Sequence, residues 1–446
     1  MKAAVISVLV IELLMIGWVI FFDREKASVL VMDDGTEISL EGRTRIIFWH
    51  GMGGKLGKVM KKMVTEFNLL PGNKYVIDAQ YMGHYESLRQ KLIASLISGT
   101  TPHCSQVYES WMAKMIKGDS ILPLDNLIVE EDKEFLEDLV PVMRRNITFK
   151  DKIWSMPFNK SMPVLYYNKD MFRKVGLDPE HPPETWDEFL DYCRKLTRDT
   201  DDDGINDTWG FTFAANPWMF ECLIFQAGGT MLSEDGSRVL LDSPAGLDSL
   251  RFMMDLVYKH KVAYISMGYE GQKDYVAQAV GIVQGSSVSK VYLEEDISFD
   301  WGMAPLPGRD RKAAVLSGTN VALFAGKDPH ETRGAWKFVK WFTDAERTAF
   351  WSEHTTYMPV RLSGLEILED YLAQPLSSKA AIDQLPYSEF EPRISAWFKC
   401  RDILGEALAD AMYLEKEWME AGNEARPERY LVPMVEEMNT ILYYEK

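Results

Sequence analysis

Cysteine is scarce in this 446-residue chain: Cys104, Cys193, Cys222 and Cys400 are the only four, with no CxxC pair. That spacing excludes a zinc ribbon or a redox dithiol, and core thiols are the default reading, with disulfide connectivity not readable. Seven histidines occur without an HxxxH pair, so no zinc site is implied. Cationic residues are outnumbered, 49 Lys and Arg against 67 Asp and Glu, for a net charge of −18. Nucleic-acid phosphates would be repelled by such a surface, and an anionic ligand would need a local cationic site. GxSxG, P-loop and GxGxxG motifs are missing; the glycines at 51–54 read GMGG. Carboxylates are too numerous to nominate a catalytic pair, and there is no repeat or low-complexity tract.

One long apolar run is present. Ala4 to Phe22 is apolar except for Glu12 and is stopped by Asp23-Arg-Glu-Lys26. It is long for a secretory h-region and near the minimum for a membrane helix. With no small-x-small cleavage site, residues 1–22 read as an uncleaved signal anchor ahead of a cleaved signal peptide. Either way the rest of the chain is expected outside the cytoplasm. Residues 23–43 form a tether with one hairpin, Val29–Met32 and Glu37–Leu40 about a turn at Asp33-Asp-Gly35.

Strands and helices then alternate. Arg45–Phe48, Tyr75–Ala79 and Ser105–Tyr108 read as strands. Between the first two, Leu56, Val59, Met60, Met63, Val64 and Phe67 make one apolar helix face. The next helix, Tyr85–Ile97, should turn Leu88, Leu92, Ile93 and Leu96 inward. This order predicts a parallel α/β sheet with ligands beyond its C-terminal strand ends. Pro157 and Pro163 bracket an interrupted strand or crossing segment, and Val164–Tyr167 is a buried strand. A short helix from Asn168-Lys-Asp170 ends at Gly176, and Thr185-x-x-Glu188 is a capping box. Gly210–Phe213 and Gly281–Val283 are strands, and helices start at Asn216-Pro-Trp218 and Ser243. The tail is helical, Ala396–Tyr413 and Arg429–Tyr443.

The stretch PVLYYNKDMFRKVGLDPEHPPETWDEF, with FWHGMGGKLGKVMKKMVTEFN and QVYESWMAKM before it and WGMAPLPG and LSGTN after it, resembles the extracytoplasmic solute-binding proteins of ABC importers. Within that family it is most similar to the glycerol-3-phosphate-binding members, over about residues 44 to 440. The resemblance implies a two-lobe periplasmic-binding-protein fold (type II, maltose-binding-protein-like). Residues 44–155 with 300–343 would form lobe one, and 156–299 with 344–446 lobe two. Crossings near Met156–Pro163, Ala314–Gly318 and Asp344–Thr355 would let the lobes close by hinge motion and dock on permease subunits.

The same resemblance implies a ligand set. Tyr85 and Trp218 would face the ligand carbons, Glu109 would accept its hydroxyls, and Ser161 would donate to its oxygens. Ser286 and Ser287 stand at a helix start, where free N–H groups suit an anion. Gly318 and Thr319 offer backbone N–H groups, and Tyr357 matches the tyrosine in TTYMPV. Arg393, counted back from CRDILGEALADA, falls at the phosphate-binding arginine of the glycerol-phosphate members. Those members often carry two tryptophans close together where this chain has Trp218 alone.

Asp199, Asp201, Asp203 and Asp207 flank Gly204 at calcium-loop spacing, with Gly210 where an EF-hand has glutamate. The spacing predicts a structural Ca²⁺; a solvated turn is the alternative. No other cofactor is expected. The expected function is thus a monomeric, non-enzymatic receptor for glycerol-3-phosphate or a glycerophosphodiester, periplasmic or at the cell surface. A di- or oligosaccharide receptor is the alternative within the same fold, and a secreted carbohydrate hydrolase the alternative outside it.

Overall fold

A computed structural model describes residues 29–32, 35–129 and 132–445. The Met1–Phe22 anchor and the Asp33-Asp34 part of the hairpin turn lie outside the described residues. No helix among the described residues is long and apolar enough to cross a membrane. The chain divides into two compact units: residues to Ser105 with Gly326–Trp341, and Gln106–Ala325 with Phe342–Lys446.

The first unit opens with the expected hairpin, β1 (Val29–Val31) antiparallel to β2 (Glu37–Ser39). Its sheet is parallel. β3 (Thr44–His50) runs beside β4 (Tyr75–Tyr81) on one side and the start of β5 (Cys104–Val107) on the other. The helix Gly54–Asn68 buries Leu56, Met60, Met63, Val64 and Phe67, as its spacing requires, while Val59 sits at the rim. Phe67 meets Phe338 and Trp341 edge-on, both at 5.2 Å between ring centroids. The next helix, Tyr85–Ser98, departs from its expected face. Leu88, Leu92 and Ser95 are buried, but Ile93 is 39% exposed and Leu96 half-buried. A buried stripe this narrow leaves the adjacent position, about 100° round the helix, in solvent.

The second unit is mixed rather than parallel. After a small hairpin, β6 (Thr148–Phe149) and β7 (Lys152–Ile153), come β8 (Met156–Ser161) and β9 (Pro163–Asn168). Both are wholly buried, and together they are the strand interrupted at Met162. One sheet has the order β11 (Ala263–Ile265), β10 (Trp209–Phe213), β12 (Val280–Ser286), β9, β13 (Trp301–Ala304). β10 is parallel to β11 and β12, whereas β9 is antiparallel to β12 and β13. The return crossings through β9 and β13 reverse chain direction, which strand–helix alternation alone does not announce. β14 (Ala314–Leu323) pairs antiparallel with β8 and parallel with β15 (Ser388–Phe390).

Local chemistry explains the helix starts here. Asn168 accepts from Met171 N–H, Asn216 from Met219 N–H and Ser243 from Gly246 N–H. Thr185 accepts from Glu188 N–H as expected, but the Glu188 carboxylate reaches back to Glu184 N–H. All four cysteines are buried free thiols. The tail helix Trp397–Leu414 buries Leu404, Leu408 and Met412, and Glu428–Glu445 packs on it.

Candidate functional site

Nine of the ten residues implied as ligand contacts lie in the second unit. The tenth, Tyr85, begins a helix of the first unit, half-buried, with its ring against Gly51.

The centre is the β8–β14 pairing, where Ser161 opposes Ser317 and Gly318 opposes Lys160. The register shifts between Gly318 and Asn320, beside Pro157, which has no N–H for the ladder. Gly318 has φ +120°, and a Cβ there would lie 2.0 Å from the Asn159 carbonyl oxygen. Only glycine lets the two backbones approach this closely. Behind it, Gln106 Nε2 donates to Asn159 Oδ1 (3.0 Å) and Thr319 Oγ1 (3.1 Å), and the Thr319 hydroxyl donates to Asn159. All three side chains are sealed from solvent, so the Thr319 hydroxyl is committed to the scaffold.

Lys160 is fully buried and donates to Glu109 Oε1, and to Asn146 Oδ1 at 3.0 Å. Burial lowers its basicity, and the Glu109 carboxylate acts against that. Glu109 is the first residue of the helix Glu109–Lys117, where the helix dipole also favours a carboxylate. No bond among the described residues occupies its second oxygen.

Tyr357 is brought to the same place by its neighbour, since Met358 N–H donates to Lys160 O at 2.7 Å. Its ring stacks on Trp351 at 5.8 Å. Ser287 and Thr356 hold this segment: each hydroxyl donates to the other's carbonyl, at 3.3 and 2.9 Å. Ser287 is fully buried, its hydroxyl spent in that exchange. Trp218 is half-buried, its indole N–H on Val315 O at 2.8 Å, which leaves the ring faces as its contact surface.

Arg393 directs Nη1 at the backbone carbonyls of Arg145 (2.6 Å), Asn146 and Thr148, and its guanidinium lies 4.8 Å from the Phe390 ring centre. Burial lowers its basicity, opposed by Glu109.

Five residues that motif reading passed over complete the cluster: Lys160, Tyr108, Glu391, Arg401 and Glu221. Arg401, in the first turns of Trp397–Leu414, donates Nε to Glu391 Oε1 at 3.2 Å. Its two terminal nitrogens have no hydrogen-bond partner among the described residues, and its side chain is 39% exposed. Burial pulls Arg401 down, but the nearby Glu391 carboxylate leads the effects that outweigh it and raise its basicity. Burial raises Glu391, against the pull of Arg401. Burial likewise raises the Tyr108 hydroxyl far above its usual range, with Tyr357, Glu109 and Glu391 adding to it. Glu221, one turn after Trp218, is fully buried, and neither carboxyl oxygen has a partner among the described residues. The available signal for Arg401 was its place in CRDIL, the motif from which Arg393 was counted.

Elsewhere in the unit, Asp199, Asp201 and Asp207 bring carboxylate oxygens within 4.8 Å of one another. Asp203 is not in this group; its Oδ1 accepts from Ile205 N–H at 2.7 Å. Hydrogen bonds from Thr200 hold Asp207 below the usual carboxylate range. Asp199 Oδ1 is shielded and has no donor among the described residues, which suits a hard cation taking carboxylate oxygens.

A family model described as bacterial extracellular solute-binding protein matches residues 53–349. The chain belongs to that family. It is therefore a solute-binding receptor of an ABC importer, a protein that binds a small molecule and delivers it to a permease. It is 28% identical over 356 residues to the sn-glycerol-3-phosphate-binding periplasmic protein UgpB of Escherichia coli O6:K15:H31, covering 78% of this chain and 81% of the relative. With UgpB of Escherichia coli K12 the identity is 28% over 353 residues, covering 77% and 80%. Among solved structures it is similar to UgpB from Mycobacterium tuberculosis in complex with glycerophosphocholine, with TM-score 0.77, 22% identity and 90% and 99% coverage. A cyclic α-maltosyl-1,6-maltose binding protein from Arthrobacter globiformis matches at TM-score 0.75 and 23% identity, covering 90% of this chain and all of that one. The fold is thus the maltose-binding-protein-like one expected. Arg393, Arg401 and Tyr357 lie beyond the span matched by the family model.

Proposed function

We propose that this receptor binds a glycerol phosphate, either sn-glycerol-3-phosphate or a glycerophosphodiester. The observation that carries the reading is Arg401. In a chain of net charge −18, a partly exposed guanidinium keeps two donor nitrogens uncommitted beside Glu391, a carboxylate that also feels Glu109. A fork of that kind matches two phosphate oxygens at once. Glu109 Oε2 would accept a ligand hydroxyl, Ser161 would donate to an oxygen, and the Trp218 and Tyr357 rings would cover the glycerol carbons. Arg393 would contribute charge from behind, one of its nitrogens being tied to carbonyls. The names of the curated relatives given above support the same ligand class. Tyr85 is retained as a proposed contact on the family resemblance alone. The receptor would act as a monomer outside the cytoplasm, with a structural Ca²⁺ at Asp199, Asp201 and Asp207.

A thermal-shift screen with sn-glycerol-3-phosphate, glycerophosphocholine, maltose and trehalose tests the ligand class, because bound ligand raises Tm by mass action. A rise with either glycerol phosphate is expected. A rise with a sugar alone would favour the saccharide reading, which the Arthrobacter match keeps in view.

A further inference from the structure

The cluster's charges can be counted. Glu109 with Lys160, and Glu391 with Arg401, are two ion pairs and contribute no net charge. Arg393 adds one positive charge; Arg145, the cation that acts on it, is exposed. Glu221 decides the remainder. Its carboxyl group is out of solvent with no donor among the described residues. An ionised carboxylate in such surroundings is unfavourable enough that the group takes up a proton instead.

The helix Pro217–Gln226 that carries Glu221 packs on β14, on Pro244–Met254 and on Trp397–Leu414. β14 bears no titratable side chain. Asp248 and Arg251 of Pro244–Met254 pair with each other at 2.8 Å. That leaves Arg401, already engaged by Glu391, and Glu391 itself as the charges facing Glu221. With Glu221 neutral the cluster carries one positive charge; with Glu221 ionised it would carry none.

We propose that this site selects ligands bearing one negative charge, phosphodiesters ahead of dianionic phosphate monoesters, and that Glu221 sets that preference. The inference rests on the glycerol-phosphate reading above. A diester balances the site. A dianion leaves one negative charge uncompensated in a partly desolvated cluster, and must either import a proton or loosen Glu391 from Arg401.

Titration calorimetry with sn-glycerol-3-phosphate and its phosphate methyl ester separates the two, because the methyl ester fixes the charge with the smallest added group. At about pH 8 the monoester is dianionic, and the methyl ester should bind at least roughly tenfold tighter. At about pH 5.5, below the second phosphate pKa of about 6, the gap should close to within about threefold. Glu391→Gln, which adds one positive charge, should shift the ratio toward the monoester by about tenfold. Equal or tighter binding of the dianion at about pH 8 would overturn the inference while leaving the glycerol-phosphate reading intact. So would a gain of about tenfold for both ligands in Glu221→Gln, since the wild-type side chain would then be ionised. If neither ligand binds at either pH, the glycerol-phosphate reading falls and this inference falls with it.

Discussion

The Lys160 ammonium is sealed from solvent and bound to the Glu109 carboxylate, which begins a helix 51 residues earlier in the chain. Removing one partner strands the other charge in a low-dielectric interior. Lys160→Met should therefore destabilise the protein by about 3–5 kcal/mol. Adding Glu109→Gln to it should recover much of the loss, because no buried charge then lacks a partner. Denaturant unfolding of both variants checks this. An additive or greater loss in the double variant would show that the pair is not the source.

Glu221 makes stability depend on pH in a defined direction. Burial raises it well above the usual carboxylate range; Glu391 adds to that and Arg401 opposes it. The folded protein then keeps a proton that the unfolded chain releases above about pH 4.3. Stability from this group is fully present below that pH and is lost as pH rises toward the folded value. Glu221→Gln removes the loss, so the variant's Tm should match wild type near pH 4 and exceed it increasingly as pH rises from the unfolded value of about 4.3 toward the folded one. Thermal melts across that range decide it; a benefit largest in acid would contradict the assignment.

Much of the fold was legible because it is encoded locally. Asn168, Thr185, Asn216 and Ser243 each cap the helix their sequence context announced. The apolar spacing over Leu56–Phe67 is the buried face of its helix. Ile93 shows where that logic ends, since periodicity locates a face but not its width. The cluster was less legible for a related reason. Lys160 meets Glu109, Arg401 meets Glu391, and Glu221 lies within electrostatic reach of that second pair, across separations that no motif spacing records. Ser287 stands on the expected segment, yet its backbone N–H, the group expected to face an anion, donates to Met162 O at 2.9 Å.

The calcium proposal gives a residue-specific test. Chelator should lower the wild-type Tm and added calcium restore it. Asp201→Asn should abolish that response, because Asp201 belongs to the converging group of carboxylates. Asp203→Asn should retain it, since Asp203 spends its oxygen on Ile205 N–H. A wild-type Tm indifferent to chelator would reduce the loop to a solvated turn.

Arg393 and Arg401 should respond differently to truncation. One Arg393 nitrogen holds three backbone carbonyls between Arg145 and Thr148. Arg393→Ala should therefore lower Tm as well as ligand affinity, and Arg393→Lys should restore neither fully, lacking the planar fork. Arg401→Ala should act mainly on affinity, because its one partner among the described residues, Glu391, is already biased by burial toward taking up a proton and need not stay charged. Paired thermal melts and binding titrations on these variants show whether the two roles separate; an equal Tm loss in both would contradict the division.

The most direct test of the ligand assignment is calorimetry of glycerophosphocholine, sn-glycerol-3-phosphate and maltose binding to wild type and Arg401→Ala. A charge-assisted two-point contact is worth roughly 2–4 kcal/mol once the stranded phosphate is counted. The variant should therefore lose about 30- to 1000-fold in affinity for a glycerol phosphate, at 1.4 kcal/mol per decade. Arg401→Lys should recover only part of it. If wild type instead ignores both glycerol phosphates and binds maltose with an affinity that Arg401→Ala leaves unchanged, the glycerol-phosphate assignment is wrong.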